Sequence, residues 1–138
     1  MEINEQLNQY RIDAINTASP EQLTLMLYRA ALTNVQNLRK LMNEGPVNGL
    51  DKSQLGRDIF AALADNVNLE HPQGQTMKDL YLYCWRTLLS AAIEQRSEGL
   101  ESVEAVIQNL IRGLEGYINR DKVAARATEA AMSINFAG

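Results

Sequence analysis

Met77-Lys78-Asp79-Leu80-Tyr81-Leu82-Tyr83-Cys84-Trp85-Arg86-Thr87-Leu88-Leu89-Ser90-Ala91-Ala92-Ile93 is the most apolar stretch of the chain, and its spacing decides the fold class. Met77, Leu80, Tyr81, Cys84, Leu88, Ala91 and Ala92 recur at steps of three and four residues, so a helix gathers them on one side. Leu82, Tyr83, Trp85, Leu89 and Ile93 fall largely outside that stripe. A bundle helix carries apolar residues over about a third to a half of its circumference. This segment therefore has more apolar surface than a helical core covers.

Upstream, Thr17-Ala18-Ser19-Pro20-Glu21-Gln22 reads as a helix start. Ser19 is an N-cap, Pro20 suits the first helical position, and Gln22 completes a capping box. The first helix spans 20–43, with a core stripe of Leu23, Leu27, Ala30, Leu38 and Leu41 interrupted by Asn34, and Gly45-Pro46 stops it. Leu25, Met26, Tyr28 and Val35 lie beside or beyond that stripe, a second surplus of apolar surface. A second helix, capped by Asp51 or Ser53, carries Leu55, Ile59, Leu63 and Val67 inward and ends near Glu70. The His71-Pro72-Gln73-Gly74 turn leads to the third helix, and Ser97-Glu98-Gly99 breaks it. Val103, Ile107, Leu110, Leu114 and Tyr117, widened by Val106, Ile111 and Ile118, define a fourth helix ending around Asn119. Residues 123–132 are Ala-rich and lack large apolar side chains, which predicts a weakly docked helical tail.

No period-two alternation persists and no hairpin signal separates apolar runs, so strands are excluded. The expected fold is all-α, an antiparallel up-down four-helix bundle over residues 20–119 within a single domain 1–138. An N-terminal covering segment, 1–18, precedes it and a short tail, 120–138, follows.

The net charge of -4 and basic residues scattered from Arg11 to Arg126 argue against nucleic acid, which demands clustered cations. The polar, acidic start lacks a signal peptide's basic and apolar regions, and no run of about eighteen apolar residues exists. These features, with a lone Cys84 that has no disulfide partner, predict a cytosolic protein that does not insert into membranes. The one histidine, His71, sits in a Pro-containing loop and cannot supply the paired ligands of a di-iron bundle; Cys84 reads as a small core residue. No phosphate-cradling Gly-rich loop or nucleophile elbow occurs. The expectation is a non-catalytic protein with no cofactor and no metal.

The informative feature is the surplus on the first and third helices. Large exposed apolar patches mark partner sites, and a groove between two such helices fits an amphipathic helix laid lengthwise. The chain's own N-terminal segment, with Leu7, Tyr10, Ile12 and Ile15, accounts for it equally, as do the tail and a homodimer contact. A cover that can leave is also a switch.

The stretch Thr17-Ala18-Ser19-Pro20-Glu21-Gln22-Leu23-Thr24-Leu25-Met26-Leu27-Tyr28 resembles the T-A-S-P-x-x-L-x-x-x-L-Y hallmark of the FliS family of flagellin-specific export chaperones. Tyr10 and Ile15 match an upstream aromatic and Val/Ile, and Leu80-Tyr81-Leu82-Tyr83 is similar to the family's L-Y-D-Y segment, so the likeness covers about residues 7–118. It implies a helical bundle that binds the C-terminal polymerising segment of flagellin, blocks premature assembly and delivers the subunit to the flagellar type III export apparatus. It also implies that the N-terminal segment occupies part of the client surface until displaced. Surplus and resemblance together point to Ile15, Leu25, Tyr28, Val35, Leu80, Tyr81, Tyr83 and Trp85 as client-binding residues. Two positions depart from the family pattern: Arg29 follows Tyr28 where the family has Asp, and Leu82 replaces the Asp between the tyrosines. A paralogue with another helical client, or a non-catalytic homo-oligomer, is the alternative reading. A small-molecule bundle would require a closed, ligand-sized cavity.

Overall fold

The computed structural model describes residues 19–137, with side chains for 19–127. The described residues form five helices: α1 (Pro20–Glu44), α2 (Gly49–Lys52), α3 (Gln54–Asp65), α4 (Gly74–Glu94) and α5 (Ser97–Ala137). The expected covering segment lies outside the described residues. Residues 27–110 form one compact unit, and the described residues before and after it belong to a second.

Helix α1 begins as its sequence predicts. The Gln22 N–H donates to Ser19 Oγ and the Ser19 N–H donates to Gln22 Oε1, both at 3.2 Å, a reciprocal capping box. It ends at Gly45, whose φ of +149° few other residues adopt.

The expected second helix is divided. Asn48, rather than Asp51 or Ser53, supplies the cap, its side chain accepting from the Asp51 N–H at 3.2 Å to start the single turn of α2. Ser53 is fully buried at the junction and accepts from Arg57 Nε instead. Helix α3 stops at Asp65, not near Glu70, because Asn66 turns back and its side-chain amide donates to the Ala62 carbonyl at 2.7 Å. His71 lies in the following turn, exposed.

Helix α4 closes on Gln95, a non-glycine residue at φ +57°. A left-handed conformation there costs roughly 1–2 kcal/mol. Two side-chain hydrogen bonds offset it: Gln95 Oε1 accepts from the Val47 N–H and Gln95 Nε2 donates to the Ala92 carbonyl. The loop after α1 is thereby tied to the end of α4.

Helix α5 runs unbroken to Ala137, so the segment expected as a separate tail continues the fourth helix. Asn119-Arg120-Asp121-Lys122 contains neither Gly nor Pro, and without a stop signal the helix carries on. Side chains 119–127 are all exposed.

Within residues 27–110 the core consists of Tyr28, Ala31, Val35 and Leu38 of α1, Ile59, Phe60 and Ala64 of α3, and Tyr81, Cys84, Leu88, Ala91 and Ala92 of α4. Leu100, Val103 and Ile107 of α5 complete it. Glycines let the backbones approach: a Cβ on Gly49 would lie 2.1 Å from the Ala92 carbonyl oxygen, and one on Gly56 would meet Asn34 and Leu88. Asn34, which interrupts the apolar stripe of α1, clamps the short helices to it. Its Oδ1 accepts from the Gly56 N–H at 3.1 Å and its Nδ2 donates to the Lys52 carbonyl at 2.9 Å. Farther along α1, Arg39 pairs with the buried Glu104 at 3.1 Å and with exposed Glu101 at 3.5 Å.

Asn34→Leu would complete the apolar stripe, yet it removes both bonds and leaves a part-buried Gly56 N–H without an acceptor. We expect urea unfolding to show a loss of about 1–3 kcal/mol; a stabilised variant would mean the clamp is dispensable.

Candidate client-binding surface

The side of α1 that faces the core is turned by about one residue from the expected one, with Leu38 common to both. Leu25, Tyr28, Ala31, Val35 and Leu38 are buried, whereas Leu27 is 39% and Leu41 36% exposed, with Leu23 and Ala30 half-buried. Both sides are apolar, so periodicity sees two stripes; adjacent residues such as Leu27 and Tyr28 stand about 100° apart around the helix. What selects between them is polar. The Tyr28 and Tyr81 hydroxyls share a hydrogen bond of 2.5 Å, with the rings tilted at 47° and their centroids 6.3 Å apart. Tyr28 needs to be inside to make that bond.

Four of the residues expected to bind a client, Leu25, Tyr28, Val35 and Tyr81, are therefore core side chains. Burial strips their surfaces of access, and the large apolar side chains that α1 leaves exposed are Leu27 and Leu41. On α4 the expectation of a surplus holds: Tyr83 is 42% exposed, and Leu80, Leu82, Trp85 and Leu89 are half-buried. Leu7, Tyr10, Ile12 and Ile15 lie outside the described residues. Further exposed apolar side chains, Leu50, Leu55 and Ile93, flank the short helices and the end of α4. Leu55 was expected inside; Gly56 and Phe60 take that place because the close approach of α3 to α4 requires a residue without a side chain at 56.

The buried groups are chemically quiet. Desolvation raises the Tyr28 hydroxyl pKa far above its ordinary value, with the Tyr81 hydrogen bond adding to the rise. Tyr81 is also raised by desolvation, though its bond to Tyr28 works the other way. Burial pushes the Cys84 thiol up to about 12. Among the described residues no cluster of His, Cys, Asp and Glu could hold a metal ion, and no helix is long and apolar enough to cross a membrane. Both departures from the family pattern stand at the surface, Arg29 exposed and Leu82 half-buried.

The family model of the flagellar protein FliS matches residues 3–121. The chain belongs to the FliS family. This is a family of flagellar chaperones rather than of enzymes, and the match spans α1 to α4 together with the larger part of α5. No curated protein matches the chain.

The thiol predicts a pH signature. Its folded-state value lies above the ordinary 9.0, so the folded chain holds that proton more tightly than the unfolded chain. Stability is then complete below pH 9 and falls as pH rises toward about 12. Urea unfolding from pH 8 to 11 should fall less steeply for Cys84→Ala than for the unaltered chain; parallel curves would contradict the assignment.

Proposed function

We propose that this FliS-family chain binds the C-terminal polymerising segment of flagellin in the bacterial cytosol, keeps it from assembling, and hands it to the flagellar type III export apparatus. The helices are read as an antiparallel up-down bundle. The observation that carries the reading is the exposed apolar row on α1, Leu27 and Leu41, roughly 21 Å apart at the α-helical rise. That length suits a client helix lying along α1, and Tyr83 and Leu80 of α4 offer further apolar surface.

The physics of such a client fits. A segment that becomes helical only on assembly is an amphipathic chain without a partner while monomeric, and it can fold onto an apolar surface. Occupying that segment removes it from self-association by mass action. In this reading Leu7, Tyr10, Ile12 and Ile15 cover the surface until the client displaces them.

Calorimetric titration with a peptide spanning the C-terminal segment of the same cell's flagellin tests the reading. Binding should show a large negative heat-capacity change, and the double variant Leu27→Glu/Leu41→Glu should weaken it at least about tenfold, roughly 1.4 kcal/mol, while the unfolding transition stays in place. No binding by the unaltered chain, or equal binding by the variant, would overturn it.

A further inference from the structure

Helix α4 carries a second apolar row, of which Trp85 alone is among the residues expected to meet the flagellin client. Leu82, Trp85, Leu89 and Ile93 recur at steps of three and four, so they share one side of the helix, turned away from the buried Cys84 and Leu88. The first three are half-buried and Ile93 is 58% exposed. Two cations stand in the same row: Lys78, four residues before Leu82, and Arg86, four residues after it. Lys78 is half-buried and Arg86 exposed, and neither makes an ion pair or hydrogen bond among the described residues. Arg39, Arg57 and Arg96, by contrast, are all engaged. The nearest carboxylate on α4, Asp79, is held by the Gln75 amide at 2.8 Å. In a chain of net charge -4, unpaired cations set along a tryptophan-containing apolar row are a local reversal.

We propose that this row docks an amphipathic helix of a partner protein whose apolar stripe is flanked by Asp or Glu. The apolar side chains supply the buried area. The cations set orientation and choice of partner, which is what rim charges do best. Lys78 and Arg86 are eight residues apart, roughly 12 Å along the axis, so two acidic residues seven or eight positions apart on one side of the partner reach both. A lysine-flanked helix of the same apolar pattern meets like charge. An anionic bilayer fits less well, because membrane-lying helices present a strongly basic face and freely protruding apolar groups. Here three of the four apolar side chains are half-sunk and the whole chain is acidic.

Trp85 is the sole tryptophan of the chain, so its emission reports directly on the row. The full chain is titrated with two synthetic helical peptides sharing one leucine stripe, one flanked by glutamates eight positions apart and the other by lysines. The glutamate peptide should shift Trp85 emission to the blue and bind at least about tenfold tighter, with the advantage shrinking as salt rises. Lys78→Glu/Arg86→Glu should reverse the preference while keeping its affinity for the flagellin peptide, so this proposal and the flagellin reading fail separately. The proposal is overturned by equal affinities, by a preference that survives charge reversal, or by loss of flagellin binding in that variant. A stronger Trp85 shift with phosphatidylglycerol vesicles, or on concentrating the protein alone, overturns it in favour of a membrane or a second copy.

Discussion

The hydrogen bond between the Tyr28 and Tyr81 hydroxyls sets the rotation of α1, and most of the remaining arrangement depends on that rotation. A buried phenol without a partner costs about 1–3 kcal/mol, and each tyrosine here relieves the other. Turning α1 by one residue would bring Leu27 inside, put Tyr28 out and leave Tyr81 unpaired. Two apolar sides are thus unequal in free energy. The same rotation brings Asn34 to the Gly56 N–H and the Lys52 carbonyl, and Arg39 to Glu104. With these fixed, Leu27 and Leu41 are what α1 leaves outside. The exposed apolar row of α1 follows from a polar contact in the core.

Much of this was legible in the residues. The Ser19-Pro20-Glu21-Gln22 cap, the stop at Gly45-Pro46 and the buried stripe of α4 all follow from spacing and cap chemistry, and the structure has them where spacing puts them. The T-A-S-P hallmark led to the family that the match over residues 3–121 establishes. The surplus on α4 was legible too, because five large apolar residues fall outside its buried stripe.

The side of α1 was not legible, since counting apolar positions measures hydrophobicity and takes no account of where a hydroxyl finds its partner. For that reason spacing alone puts Leu25, Tyr28 and Val35 at the surface, whereas they are core. The start of α2 is hidden because its cap, Asn48, lies inside what reads as a loop, and the inward side of α3 because Gly56 is placed by a close approach to Leu88 that local pattern does not reveal. The continuity of α5 through residues 119–122 has the reverse cause: the thinning of large apolar residues there looked like an end, but helices end at stop signals and none is present.

A thiol-accessibility experiment bears most directly on the rotation of α1. Cys84 is the chain's one cysteine, fully buried with its thiol pushed up to about 12, so it gives a silent background near neutral pH. Leu27→Cys and Val35→Cys place single probes on the two sides of the helix. The account predicts that a thiol-specific reagent modifies position 27 at close to the rate of a free thiol, modifies position 35 only on unfolding, and is slowed at position 27 by the flagellin peptide. Rapid modification at position 35 with protection at position 27 would contradict it.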